Sequence, residues 1–204
     1  MKNYICFNGE KVELSAAQVA KIKNAIGLGQ TKLKSVPVGE CFKIGEHEFI
    51  VLEQSGDTVA VILKNLLYDE KQFGKNNNFE NSDVDKICEK FGREIANVIG
   101  KENLVEHTVD LTSDDGLKDY GKIKRKMSLF TAELYRRYVE ILDKYKIDKW
   151  WWIATAFSTP THGTSTWIKC VSPDGSVDLN DCDDVIGVRP FCILNSDIFV
   201  SIKE

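Results

Sequence analysis

Three consecutive tryptophans, Trp150 to Trp152, constrain the fold of this chain more than any other feature. They stand in an apolar run typical of a β-strand, where side chains alternate between the two faces. At least one of the three therefore faces away from its neighbours. Because aromatic side chains dominate core energetics, we expect two of them in the core and the third covering a helix. The alternative is an exposed tryptophan that anchors an interface.

Length and composition indicate an ordinary globular domain. The chain has 204 residues, of which 43% are hydrophobic, with 14 glycines and 4 prolines. One domain, or one domain with a small appendage, is expected, and its core is large enough to need no disulfides. The six cysteines are dispersed without a CxxC or a zinc-binding spacing, so we expect reduced thiols.

The sequence predicts a protein made and kept in a cytoplasm. Its first nine residues contain no apolar stretch long enough for a signal peptide, and no run approaches the ~20 apolar residues of a membrane span. Lys and Arg total 27 against 31 Asp and Glu, so the chain lacks the basic excess of a general nucleic-acid binder. We expect neither a membrane nor a nucleic acid as partner.

The N-terminal segment is expected to form a hairpin and a short helix. Residues 4–14 alternate around Asn8-Gly9, a dipeptide that suits a two-residue hairpin turn. Ser15 to Gln18 form a capping-box pattern, which predicts a helix that ends at Gly27. The glycine- and lysine-bearing stretch from Gly27 to Pro37 has little periodicity and is predicted to be a linker.

The rest of the chain alternates between strand and helix patterns. The predicted strands are Cys41–Ile44, Glu48–Glu53, Thr58–Leu63, Trp150–Thr155, Thr166–Val171, Ser176–Leu179 and Val188–Leu194. The first three form a meander. Helical spacing predicts helices between Ser82 and Gly100 and over residues 132–145. Residues 69–83 are expected to be a loop, and Ser172 to Gly175 a turn.

The final third also carries an ordered set of short motifs. They are Trp150-Trp151-Trp152, Ser172-Pro173-Asp174-Gly175-Ser176-Val177 and Gly187-Val188-Arg189-Pro190. This order resembles a domain of unknown function common in Firmicutes and their prophages, in which a WWLRS strand, a DGxV hairpin and a GVRPA strand follow one another. Upstream, residues 38–52 and 128–134 resemble its opening meander and its step into a helix, so the resemblance covers about residues 37–200.

The resemblance implies a C-type-lectin-like fold, as in formylglycine-generating enzymes and the variable proteins of phage diversity-generating retroelements. We therefore expect an α+β chain with a C-type-lectin-like domain at 37–204 and a hairpin-helix appendage at 1–36. The sequence departs from the family where Ile153-Ala154-Thr155 replaces LRS and where Phe191 replaces alanine. No position matches the cysteine pair of formylglycine-generating enzymes, so no catalytic residue is predicted.

A polar loop between two predicted strands is the candidate binding surface. Residues 158–166 are rich in small hydroxyls and include a histidine, and loops on a rigid frame are where binding surfaces are made. The predicted ligand-binding residues are Trp152, Ser158, Thr159, Thr161, His162, Thr164, Thr166, Asp178, Asn180 and Asp184. No cofactor or metal ligand is predicted. The acidic stretch 171–188 fails the EF-hand pattern, so a solvated hairpin is expected there, with calcium binding as the alternative.

Charge is distributed unevenly along the chain. Residues 117–149 hold ten cations against five acids, and residues 171–188 hold five carboxylates and no cation. A solvated helix face is the expected role of the cations, and docking of an acidic protein surface or nucleic acid is the alternative. Arg189 stands in an apolar strand and is expected to pair with carbonyls or an aspartate, because a buried guanidinium needs acceptors.

These features favour a non-catalytic binding module of phage or prophage type that displays the loops between Trp152 and Gly187. The alternatives are an intracellular phage protein that blocks a host defence protein and an enzyme of unknown reaction. A protein partner is expected, in the cytoplasm of a bacterial host or on a virion. The N-terminal appendage is expected to dock on the main domain or to mediate self-association.

Overall fold

Short strands make up most of the regular structure of this chain. The computed structural model describes residues 3–7, 10–15, 18–19 and 29–202. The strands are β1 (Asn3–Phe7), β2 (Glu10–Leu14), β3 (Gln30–Lys32), β4 (Cys41–Ile44), β5 (His47–Ser55), β6 (Thr58–Leu63), β7 (Tyr68–Gln72), β8 (Leu104–Val105), β9 (His107–Asp110), β10 (Lys122–Arg125), β11 (Met127–Ser128), β12 (Trp151–Ala156), β13 (Trp167–Val171), β14 (Val177–Asp181), β15 (Val185–Val188), β16 (Phe191–Asn195) and β17 (Phe199–Ser201). The α-helices of the described ranges are α1 (Asp83–Ile99) and α2 (Ala132–Leu142).

The predicted N-terminal hairpin is confirmed. Strands β1 and β2 pair antiparallel, with Phe7 opposite Glu10; the predicted Asn8-Gly9 turn lies outside the described residues. The capping box is also present: the backbone N of Ser15 donates to Gln18 Oε1 at 2.9 Å, and the backbone N of Gln18 donates to Ser15 Oγ at 3.2 Å. Apart from residues 18–19, the predicted helix as far as Gly27 lies outside the described residues.

The predicted linker is wrong from residue 30 onward. Strand β3 pairs antiparallel with β17, and a 3-10 turn follows at Leu33–Ser35. Leu33 and Val36 are buried in the same apolar cluster as α1. Two apolar side chains three residues apart are too few to show a period, so the sequence pattern missed this stretch. Residues 30–36 thus pair and pack with the main sheet.

The largest sheet has eight strands, and both of its faces are buried. Its order is β11-β16-β6-β5-β4-β17-β3, with β8 paired to β16. Strands β4, β5 and β6 are antiparallel neighbours, which confirms the predicted meander. Along β5, Phe49 and Val51 belong to one apolar cluster, whereas Ile50 and Leu52 belong to another. Each face of this sheet therefore needs its own covering layer.

The helix predicted between Ser82 and Gly100 is confirmed as α1, which covers the face of Phe49. Ser82 caps it, because the backbone N of Asp85 donates to Ser82 Oγ at 3.1 Å. Gly100 follows the last turn with a φ of 89°, a conformation that favours glycine. The buried apolar side chains of α1 are Val84, Cys88, Phe91 and Ile95.

The helix predicted over residues 132–145 is confirmed in part as α2, which covers the other face of the eight-stranded sheet. The backbone N of Leu134 donates to Thr131 Oγ1 at 3.3 Å, which caps the helix start. The α-helix ends at Leu142, and a 3-10 turn at Asp143–Tyr145 completes the predicted span. Tyr135, Tyr138 and Leu142 pack in the cluster that contains Ile50 and Trp151.

The tryptophan run lies in the second sheet, whose order is β14-β13-β12-β15-β7. Every residue of β12 is buried. Trp151 packs in the cluster of α2 and Trp152 in the cluster of α1, while Trp150 is half-buried against the latter. The expected burial of two tryptophans in the core is confirmed, and none of the three is an exposed anchor. The β12–β15 pair is parallel, whereas β12–β13 and β13–β14 are antiparallel.

The chain crosses from the second sheet to the first at Arg189-Pro190. The backbone N of Leu67 donates to Val188 O before the crossing, and the backbone N of Leu63 donates to Pro190 O after it, at 2.8 and 2.9 Å. The predicted single strand over 188–194 is therefore wrong. Residues 188–194 comprise the end of β15 and most of β16, which lie in different sheets. Pro190 has no N–H, so a single hydrogen-bond ladder cannot continue through it.

The Arg189 side chain is 1% exposed and holds this crossing. Its Nε and Nη2 donate to Leu63 O and Lys64 O, each at 2.9 Å, which confirms the expected pairing with carbonyls. The guanidinium also lies 5.2 Å from the centre of the Trp151 ring. Burial lowers the pKa of Arg189 to about 10, so the group is still charged at neutral pH.

Several strands escaped the sequence pattern. Strand β7 occupies part of the predicted loop 69–83, and all five of its residues are exposed, so no apolar period marks it. Four strands, β8 to β11, fall in the polar stretch between the helices. The described residues thus form a mixed α+β structure of mostly antiparallel strands. Among them, neither helix is long and apolar enough to cross a bilayer.

His107 is a buried polar residue on β9. Its side chain packs edge-on against the Phe191 ring at a centroid distance of 5.2 Å, and its Nε2 lies 2.9 Å from Ser128 Oγ. Because the Ser128 hydroxyl donates its proton to Leu129 O, His107 Nε2 is the donor to that hydroxyl. Burial lowers the pKa of His107 to about 4.

Acid should destabilise this protein through His107. An unfolded histidine has a pKa of about 6.5, so between pH 6.5 and 4 the unfolded chain binds a proton that the folded chain excludes. The free energy of unfolding should therefore fall by about 2 kcal/mol from pH 7 to pH 5. Urea titrations at pH 7 and pH 5 should show a smaller fall for His107→Gln than for the wild-type protein. An equal fall in the two proteins would show that His107 does not cause the acid sensitivity.

Candidate functional site

Three loops meet at one end of the second sheet. We call residues 157–167 the hydroxyl loop, residues 113–121 the carboxylate loop and residues 73–82 the asparagine loop; together they form the three-loop platform. The hydroxyl loop joins β12 to β13 and is closed by a hydrogen bond from the backbone N of Phe157 to Trp167 O at 3.0 Å. The carboxylate loop is tied to the end of β12, since the backbone N of Asp114 donates to Ala156 O at 2.9 Å.

Two aspartates cross-link the first two loops. Asp119 Oδ2 accepts from Thr159 Oγ1 and Thr161 Oγ1, each at 2.6 Å. Asp115 Oδ2 accepts from Ser158 Oγ at 2.5 Å and lies 2.8 Å from His162 Nδ1. Most of the polar side chains in the first half of the hydroxyl loop are thus engaged within the protein.

These hydrogen bonds keep both aspartates ionised. Donation by Ser113, Ser158 and His162 holds the pKa of Asp115 well below its usual value, and Thr159 and Thr161 lower the pKa of Asp119. Because an ionised carboxylate only accepts, the proton between Asp115 and His162 lies on Nδ1. In neutral His162, Nε2 is left as a hydrogen-bond acceptor.

Asn77 joins all three loops. It is 0% exposed, and its backbone N donates to Ser165 O at 2.7 Å. Its Nδ2 donates to Ser158 O and Trp167 O at 2.9 and 2.8 Å. Tyr120 of the carboxylate loop donates its hydroxyl proton to Asn77 Oδ1 at 2.6 Å. One buried amide therefore holds both ends of the hydroxyl loop and one side of the carboxylate loop.

Two exposed aromatic residues stand at the base of the platform. Phe157 is 39% exposed and Trp167 is 42% exposed. The preceding cross-strand pair, Ala156 and Ile168, is buried, so alternation places the next pair on the opposite face. Neither residue was predicted from the sequence, in which the run Trp150 to Trp152 was the expected place for an exposed aromatic. Their positions at the two ends of a Ser/Thr-rich loop are the sequence feature that could have identified them.

The structure places six of the ten predicted binding residues in the hydroxyl loop, and shared hydrogen bonds join four of these six. Ser158, Thr159, Thr161 and His162 share the two aspartates. Ser158 and Thr159 are buried and engaged internally, so their hydroxyls support the loop and are not open to a ligand. Thr164 is half-buried and Thr166 is exposed in the same loop.

The other predicted contacts lie elsewhere. Trp152 is 0% exposed and its Nε1 donates to Lys71 O at 2.7 Å, so its prediction as a ligand contact is wrong. Asp178 and Asn180 lie along β14, opposite Cys170 and Ile168 of β13. Asp184 follows β14 in an exposed turn.

In the acidic stretch 171–188, the expected hairpin covers residues 171–181 as the end of β13 and β14, whereas residues 185–188 form β15, which pairs with β7 and β12. Asp174 Oδ1 accepts from the backbone N of Ser176 at 2.8 Å and shapes the turn. Within the described ranges no group of three or more His, Cys, Asp or Glu side chains is placed to hold a metal ion.

The His162–Asp115 pair is not extended to a nucleophile. The Ser158 hydroxyl donates to Asp115 and not to His162, so these three side chains do not form a serine–histidine–aspartate relay. Burial raises the pKa of the thiols of Cys170 and Cys182 to about 12 and about 11. Both thiols are therefore protonated at neutral pH, which disfavours nucleophilic attack.

Ion pairs neutralise much of the basic stretch 117–149. Six of its ten cations pair with carboxylates: Lys122, Arg125, Arg136, Arg137, Lys146 and Lys149. Most of these pairs are exposed and each contributes little to stability. A solvated position fits five of these cations; Arg125 is the exception, because its side chain is only 16% exposed and that of its partner Asp85 is 3% exposed.

Comparison of the chain with protein-family models, curated proteins and solved structures finds no match. The site must be interpreted from its own geometry.

Asn77→Ala should lower the free energy of unfolding by about 2–4 kcal/mol, because it leaves the buried Ser158 O and the Tyr120 hydroxyl without the partner they have in the wild type. Asn76→Ala is the matched control: this exposed neighbour accepts only one local hydrogen bond, from the backbone N of Asn78, and should cost under about 1 kcal/mol. Chemical denaturation measures both. Equal losses would show that Asn77 does not hold the platform.

Proposed function

We propose that this chain is a non-catalytic binding module of phage or prophage type that presents the three-loop platform to a protein partner on a C-type-lectin-like frame. The phage origin and the frame rest on the resemblance of the Trp150–Trp152, Asp174-Gly175 and Gly187–Pro190 motifs. The mixed architecture of mostly antiparallel strands with two helices supports the frame in its coarse features.

The exposed pair Phe157 and Trp167 is the observation that carries this proposal. Aromatic side chains are enriched at the centres of protein interfaces, where they remove large apolar areas from water. These two are cross-strand neighbours at the base of a loop. Tryptophan in particular combines a large apolar surface with one N–H donor, which suits a partner with an apolar pocket and a nearby acceptor.

The hydrogen bonds within the three-loop platform favour association with a partner protein. Ordering a flexible loop on association costs free energy, and here Asp115, Asp119 and Asn77 already fix the loop backbone. His162 adds a polar group on the same loop that a partner can reach, since its side chain is 57% exposed. Recognition therefore combines two apolar anchors with one imidazole on a preorganised surface.

Affinity capture with matched variants tests the proposal. Immobilised wild-type protein and the double variant Phe157→Ala/Trp167→Ala are incubated with lysate of a Firmicutes host, and bound proteins are quantified by mass spectrometry. Loss of two interface aromatics costs at least about 2 kcal/mol, or roughly thirtyfold in affinity. We expect a specific partner to be depleted at least tenfold on the variant.

The control is the double variant Tyr68→Ala/Phe199→Ala, which removes two aromatics that are 39% and 59% exposed on other strands. It should retain the partner. Circular dichroism must first show that both variants fold. The same proteins captured in equal amounts by all three forms would refute the platform as the binding surface.

A further inference from the structure

A groove with a volume of about 380 Å³ lies between α1 and the strands β10 and β11. None of its lining residues belongs to the three-loop platform. We propose that it is a second interaction surface, which binds an acidic peptide segment of a partner protein through salt bridges at its rim and an apolar contact at its floor.

The rim carries cations that no carboxylate neutralises within the described residues. Arg93 and Lys101 come from α1 and the turn after it, and Lys124 and Lys126 come from β10 and the residue that follows it. Lys124 Nζ donates to Thr108 Oγ1 and Lys126 Nζ donates to Lys101 O, each at 2.8 Å. These acceptors are uncharged, so both ammonium groups keep their full charge.

Arg125 contributes differently to the same groove. Its Nε and Nη2 donate to the two carboxylate oxygens of Asp85 at 2.9 and 2.8 Å, and Asp85 is 2% exposed. This pair is bidentate and partly buried, which makes it a rigid wall of the groove rather than a free cation. The cations open to a ligand are the four rim residues.

The floor of the groove is apolar and narrow. It is formed by Gly92 and Ala96 of α1 together with Leu104 and Met127. A Cβ placed on Gly92 would lie 3.0 Å from the Met127 Cβ, so the glycine lets α1 and β11 approach closely. An apolar side chain of a ligand can cover this floor, as in other grooves that take peptide side chains.

This combination favours a peptide over a nucleic acid. Glu89 and Glu106 also line the groove, and they would repel a continuous phosphate chain that runs through it. A peptide can place carboxylates against the four cations and an uncharged side chain near the two glutamates. The chain as a whole is also acidic, with 31 Asp and Glu against 27 Lys and Arg, which opposes general binding to nucleic acid.

Fluorescence anisotropy tests this inference. The probe is a labelled ten-residue peptide with two central leucines and four glutamates on each side. We expect saturable binding to the wild-type protein that weakens as salt rises. The double variant Lys101→Glu/Lys126→Glu should bind at least tenfold more weakly, and a peptide with serines in place of the leucines at least fivefold more weakly.

The matched control is Lys11→Glu/Lys144→Glu, which changes the net charge equally at two exposed lysines outside both the groove and the three-loop platform. It should bind the probe within twofold of wild type. Should the first double variant fail to fold, Lys101→Gln/Lys126→Gln replaces it and should still weaken binding.

Four outcomes would overturn the inference. They are no binding of the probe, equal loss in the control variant, equally tight and competing binding of an oligouridine, and self-association of the protein through this groove. The last would appear in sedimentation as a mass that rises with concentration in the wild type and not in Lys101→Glu/Lys126→Glu.

Discussion

The buried guanidinium of Arg189 is the interaction on which the arrangement of the two sheets depends. The chain must leave one sheet and enter another at Pro190, and a crossing of this kind leaves backbone carbonyls without ladder partners. Arg189 donates to two of them, Leu63 O and Lys64 O, and packs against the Trp151 ring. No carboxylate is needed, because the carbonyl dipoles and the ring face satisfy the buried cation. Lysine in place of Arg189 would lose the planar guanidinium, which donates to two acceptors at once.

Fixing this crossing also fixes β12, from which the three-loop platform extends. Trp151 and Trp152 anchor β12 in the clusters on its two faces, and its last residue, Ala156, accepts from the backbone of Asp114. The hydroxyl loop starts at the next residue. Asn77, Asp115 and Asp119 then hold that loop from two sides. The candidate binding surface is therefore connected directly to the buried strand β12, and contacts within the protein determine its shape.

Local sequence patterns predicted the helices and strands that have a clear hydrophobic period. They failed for elements whose strand or hydrogen-bond partners are distant in sequence. The helix from Asp83 to Ile99 carries both a cap and a continuous apolar face, so its sequence alone was sufficient. Strand β7 is exposed at every position, and β3 forms only through pairing with β17. The hydroxyl loop was found from its composition. The aspartates that hold it lie about 40 residues upstream, and no spacing rule connects them to Ser158 or Thr159.

The three-loop platform should be fully formed before any partner binds. Amide hydrogen exchange of the free protein, followed by NMR, tests it most directly at Asn77, His162 and Cys182, whose backbone N–H groups donate to Ser165 O, Thr159 O and Thr166 O. These amides should exchange at least a hundredfold more slowly than an unstructured peptide, as do hydrogen-bonded amides that open only by local unfolding. Exchange at the rate of an unstructured peptide would contradict the claim.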